Sequence, residues 1–150
     1  MFWQAICLGQ KTQFLSNPKD KLVLASEIKE HIDKGIQFNA NDPMLWYMRG
    51  SWYYNIADIS YTIRYGASWL TGVILKADFK DALNDFKQAA SIDESFYADN
   101  YFMQARTMQK LLNDDIVSIK LLLQKGIDMT CINPSTKILQ QKAKSLLEKL

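Results

Sequence analysis

Pro43-Met44-Leu45-Trp46-Tyr47-Met48-Arg49-Gly50-Ser51-Trp52-Tyr53-Tyr54 is the stretch whose reading decides the fold. Trp46, Gly50 and Tyr53 follow one another at helical spacing and so share one side of a helix. A glycine inside an aromatic helix costs helix propensity. Ala82, Phe86 and Ala89 recur at helical spacing further on and supply a facing surface of small, large and small side chains. Asp42 suits an N-cap, and Pro43 then stands at the first helical position, where its missing N–H costs nothing.

Working outward, Leu24, Ile28, Ile32 and Ile36 form one buried stripe and predict a helix over 21–38, after a Ser16–Asp20 loop and a first helix from Met1 to about Phe14. The central helix is expected to run from Pro43 to about Tyr61. Helices are also expected over 78–92, 96–112, 116–129 and 135–150, with turns at Asp93-Glu94-Ser95 and Asn113-Asp114-Asp115. Between about 62 and 77 lies a stretch too apolar and aromatic for a solvated loop. The two halves of the glycine motif are therefore separated by an insertion. Trp-x2-Arg-Gly-x2-Tyr followed by Ala-x3-Phe resembles the tetratricopeptide repeat, with Arg49 at the place of its usual Leu; the resemblance implies that Gly50 lets two antiparallel helices approach closely and that Trp46, Trp52, Tyr53 and Phe86 are core. The expected fold is all-α: antiparallel helix pairs of an α-solenoid in one domain. It divides into a partial leading repeat (1–38), a repeat split by the insertion (43–92), a further repeat (96–129) and a capping helix (135–150).

Composition excludes several classes. A net charge of +2 over 150 residues is no electrostatic nucleic-acid binder. Six glycines and three prolines favour helices over a turn-rich β fold. Cys7 and Cys131 read as reduced thiols of a cytoplasmic chain, and no segment is long and apolar enough to cross a bilayer. His31, the single histidine, lacks the spacing of a metal site and reads as a surface or helix-pairing residue. Asp93-Glu94 and Asp114-Asp115 read as turn and capping residues. No nucleophile–base pair, metal site or phosphate loop is visible, so neither a catalytic residue nor a cofactor is expected.

Ile28-Lys29-Glu30-His31-Ile32-Asp33-Lys34-Gly35, Asn41-Asp42-Pro43, Gly50-Ser51-Trp52-Tyr53-Tyr54 and Asp81-Ala82-Leu83-Asn84-Asp85-Phe86, in that order, resemble the regulator of microtubule dynamics family. The family has a similar insertion before its Ala-Leu-bearing helix. It usually carries a Pro-Pro pair where Ile74-Leu75 stands here, Leu where Arg49 stands and Arg where Ser51 stands. The resemblance implies a helical-repeat protein that is not an enzyme and associates with microtubules and the mitotic spindle. It also implies that the family's helical domain begins before Met1. Some relatives sit at organelle contact sites, where the helical domain holds phospholipid, so a phospholipid-binding or lipid-transfer module is the alternative.

In a helical-repeat stack the first helix of each pair lines the concave groove. Counting from Trp46, the groove positions are Tyr47, Ser51 and Tyr54, with Phe102 and Arg106 on the analogous helix of the next repeat. Tyr65 and Trp69 of the insertion are candidates to close over it. An aromatic groove with a few polar groups suits a protein segment or an acyl chain. Lys137, Lys142, Lys144 and Lys149 make part of the last helix basic and offer a surface to an acidic microtubule or to anionic lipid. An incomplete solenoid also exposes an apolar end, so a homodimer through the leading helix is a further expectation.

Overall fold

Proline opens three of the helices, because a helix start has no use for the N–H that proline lacks. The computed structural model describes residues 17–72, 75–111, 115–129 and 134–148. Among these are seven helices and no strand. They are α1 (Pro18–Phe38), α2 (Pro43–Asp58), α3 (Tyr61–Thr71), α4 (Phe79–Ile92), α5 (Ala98–Lys110), α6 (Ile116–Asp128) and α7 (Pro134–Leu147). The expected first helix, Cys7 and Cys131 lie outside the described residues.

Two boundaries differ from the sequence reading. Pro18 starts α1 rather than stopping a helix, so the loop expected at 16–20 is shorter. The central helix ends at Asp58, where Ile59 turns to an extended backbone. Ser60 then caps a new helix, its hydroxyl accepting from the Ile63 N–H at 3.4 Å. The insertion therefore contains an 11-residue helix of its own, closed by Gly72 in the left-handed region at φ 72°. The Asp42 cap stands as expected, accepting from the Met44 N–H at 2.9 Å, and Asp115 caps α6 through the Ser118 N–H at 3.0 Å.

The most extensive packing is between α2 and α4, although the insertion separates them in the chain. Gly50 makes it possible. A side chain there would meet the Phe86 ring at 2.9 Å, and Phe86, Ala82 and Ala89 are fully covered. Gly126 plays the same part between α6 and α5, where the Ala98 carbonyl oxygen stands 3.2 Å from any added Cβ. α1 lies on α2 through Ile32, Ile36 and Leu45, and the Trp52 indole donates to the Ala25 carbonyl at 2.8 Å. α4 and α5 are tied by polar groups: the Phe86 carbonyl accepts from Asn100 at 2.9 Å and from Gln104 at 3.4 Å, both buried. α7 covers the end of the stack, with Ala143 buried in the cluster that holds Leu123 and Met108 and with Leu146 and Leu147 packed against that cluster.

Arg49, at the place of the repeat's usual Leu, bridges two helices. Its Nε and Nη2 donate to both oxygens of Asp85 at 2.7 and 2.9 Å, and its Nη1 to Asp33 at 3.2 Å. Its guanidinium lies 4.7 Å from the Trp46 ring. The bidentate bond to Asp85 and the second carboxylate hold it ionised and push its pKa up.

Candidate functional site

α2 and α5 are the first helices of successive pairs, and their side chains meet on one face. Tyr47, Ser51 and Tyr54 recur along α2; Phe102 and Arg106 are one turn apart on α5. The Arg106 guanidinium lies 5.3 Å from the Tyr54 ring and 5.6 Å from the Phe102 ring. Tyr54 and Phe102 are themselves covered, at 3% and 7% exposure, so they form the floor on which half-buried Arg106 lies. Among the described residues no carboxylate stands within 4 Å of Arg106.

Asp99, in the first turn of α5, completes the face. Its carboxylate accepts from the Tyr47 hydroxyl, and the Ser51 hydroxyl is buried beside that phenol. Rings surround Tyr47: Tyr97 stands edge-on at 5.0 Å and Phe86 lies at 5.8 Å. Burial raises the Asp99 pKa above the ordinary aspartate value, and the Tyr47 hydrogen bond and the charges of Arg106 and Lys142 oppose that rise. Burial and the neighbouring Asp99 also raise the Tyr47 phenol, so it stays a donor. Asp99 Oδ1 and the Tyr54 hydroxyl are buried without a hydrogen-bond partner among the described residues. With the Ser51 hydroxyl these make three buried unpartnered atoms on this face, all closed off from solvent, so the part of it that an outside group can reach is the half-buried Arg106 guanidinium.

Tyr65 and Trp69 do not join this face. α3 packs on α1, and the two rings are 65% and 82% exposed. Of the lysines, Lys142 is the one whose charge reaches Asp99. Lys144 is exposed but two residues on, about 200° around the helix. Lys137 falls within α7 with its side chain outside the described set, and Lys149 lies outside the described residues. Asp99 was missed because an aspartate in a first turn ordinarily serves the helix dipole; nothing in the sequence says that it is buried. Among the described residues no group of three His, Cys, Asp or Glu side chains is placed to hold a metal ion. No helix among them is long and apolar enough to cross a membrane.

The family described as Regulator of microtubule dynamics protein 1-3 matches residues 1–150. The chain is 30% identical to Regulator of microtubule dynamics protein 1 of Bos taurus over 145 residues, covering 97% of this chain and 45% of that protein. It is 26% identical to Regulator of microtubule dynamics protein 2 of Bos taurus, of which it covers 34%. It is 27% identical to Regulator of microtubule dynamics protein 1 of Caenorhabditis elegans, of which it covers 63%. The chain thus spans between a third and two thirds of these relatives' lengths and belongs to the regulator of microtubule dynamics family.

Proposed function

We propose that this chain is a non-enzymatic helical-repeat scaffold that associates with microtubules, and that the α2–α5 face holds the partner segment. One observation carries the reading: the half-buried Arg106 guanidinium lies over a covered aromatic floor with no carboxylate within 4 Å among the described residues. Arg106 and Lys142 both act on Asp99, so the face carries more positive than negative charge and suits a segment bearing carboxylates. The names of the relatives supply the microtubule side of the proposal. A lipid enclosed between the insertion and this face has less support, since Tyr65 and Trp69 are exposed on α3, which packs on α1.

The test is co-sedimentation of the chain with polymerised microtubules over a salt series. Saturable pelleting that falls as salt rises supports the proposal. Absence of pelleting at low salt rejects it for this chain.

A further inference from the structure

Exposed apolar side chains crowd onto α3, the helix that packs on α1. Tyr61 is 74% exposed, Tyr65 65% and Trp69 82%, at four-residue steps along one line of the helix. Ile63, 65% exposed, widens the patch. Apolar side chains scattered singly over a surface need no explanation, but four on an 11-residue helix are a concentration.

A cleft of about 440 Å³ opens between Tyr61, Arg64, Tyr65 and Ser68 of α3 and Leu75 and Lys76 of the segment after it. The two tyrosine rings stack at 6.0 Å. Arg64 Nη1 donates to the Ala77 carbonyl at 3.1 Å, which fixes the guanidinium in the cleft wall. No carboxylate lines the cleft, and residues 59–77 contain none. The carboxylates on either side of that stretch are engaged: Asp58 accepts from Lys110, and Asp78 caps α4 through the Lys80 N–H at 2.9 Å. The cleft thus offers two cations beside apolar rings, and what fits it carries negative charge next to a large apolar group.

We propose that α3 and this cleft are a docking surface for an acidic protein segment, whose carboxylates meet Arg64 and Lys76 and whose neighbouring large apolar side chain packs on Tyr61, Tyr65 and Trp69. Charge complementarity gives the sign of the partner. The residue types give its class. Tyrosine, tryptophan and arginine are the side chains that carry most of the binding energy at protein interfaces, and α3 presents Tyr61, Arg64, Tyr65 and Trp69. A helix that lies on a bilayer is rich in Lys and Arg on its polar face; α3 has Arg64 alone, and the Ala77 carbonyl holds it. In a two-fold dimer through α3, Arg64 and Lys76 would face their own copies, with no carboxylate from 59–77 to pair them. One helix and its cleft are too small for an obligate interface, so the partner is a short segment held transiently. The surface shares no residue with the α2–α5 face, and neither reading needs the other.

The experiment is peptide-phage selection on the immobilised full chain, with the double variant Tyr65→Ser, Trp69→Ser as the counter-selection target. Enriched peptides are then titrated by fluorescence anisotropy. The docking surface predicts enriched sequences with Asp or Glu next to a large apolar residue, and binding that weakens as salt rises. The double variant weakens it at least about tenfold, as loss of central aromatic anchors does. Lys76→Glu weakens it and flattens its salt dependence, whereas Arg106→Glu on the α2–α5 face leaves it within about twofold of the parent. The substituted α3 side chains and Lys76 face solvent, so helix content by circular dichroism is unchanged. Several results overturn the proposal: no peptide enriched over the counter-selection, an enriched consensus without acidic residues, or binding indifferent to the α3 substitutions. Binding lost in Arg106→Glu alone overturns it by placing the peptide on the other face, and displacement of the peptide by phosphatidylserine vesicles overturns it in favour of a lipid surface. A wild-type dimer in sedimentation that dissociates on Trp69→Ser and selects no peptide overturns it in favour of a second copy.

Discussion

Replacing Gly50 with alanine adds one methyl group where two helices touch. That methyl would stand 2.9 Å from Cδ1 and Cε1 of Phe86 and 3.2 Å from the Ala82 carbonyl oxygen, closer than carbon atoms approach without displacement. Neither neighbour has room to move. Phe86 and Ala82 are fully covered, and Tyr47 packs against the Phe86 ring at 5.8 Å. Overpacking of this kind costs about 1–3 kcal/mol. Alanine recovers up to about 1 kcal/mol through helix propensity, so the net loss is about 1–2 kcal/mol. Unfolding followed by urea and by calorimetry reads this as a lower midpoint with an unchanged slope, and a melting temperature lower by roughly 3–6 °C. Gly66→Ala is the internal comparison. A Cβ there meets nothing within 4 Å, so that variant is at least as stable as the parent. If Gly50→Ala proved as stable as the parent, the α2–α4 contact would not depend on that glycine, and the argument from the motif to the fold would fail.

Three other perturbations bear on the rest of the structure. Arg49→Leu leaves Asp85, whose side chain is 7% exposed, without its bidentate partner, and the expected loss is about 2–4 kcal/mol after discounting for the partial exposure of Arg49. Adding Asp85→Ala recovers part of that loss, and a double-mutant cycle in urea measures the coupling. Asp99→Asn removes a buried carboxylate whose native pKa is raised by burial. A raised carboxylate favours folding below its unfolded pKa and loses that contribution as pH rises through the native value. Asp99→Asn is therefore no less stable than the parent at pH 7, and its stability varies less with pH above the ordinary aspartate range, as urea midpoints across pH would record. Gly126→Ala destabilises α5–α6 packing by less than Gly50→Ala does, because its nearest contact is one carbonyl oxygen at 3.2 Å rather than a ring at 2.9 Å.

The repeat architecture was legible because it is written in pairs of residues that must touch. Gly50 and Phe86 are visible as a small and a large residue at set distances, and they meet as expected. The family resemblance was legible for the same reason. The break at Ile59–Ser60 was not, since Tyr61, Ile63 and Tyr65 continue an apolar pattern and a serine cap carries little weight against it. Counting along the first helix of each pair puts Tyr47, Ser51 and Arg106 on one face, and it fixes direction but not burial. Tyr54 and Phe102 share that direction and lie in the floor. Asp99 escaped because its role arises from Tyr47 across α2–α5, a contact between residues far apart in sequence. Trp69 and Tyr65 had no fixed direction, because the length of the insertion does not say which helix its own helix will lean on.

The most direct test of the central claim compares two charge reversals in microtubule co-sedimentation. Arg106→Glu changes the α2–α5 face. Lys87→Glu changes an exposed site against Gln104 and Met108, on the opposite side of α5. The account predicts that Arg106→Glu weakens association at least about tenfold, as loss of a central arginine does at an interface, while Lys87→Glu stays within about twofold of the parent. Equal losses from the two, or none from Arg106→Glu, would mean that the α2–α5 face does not carry the association.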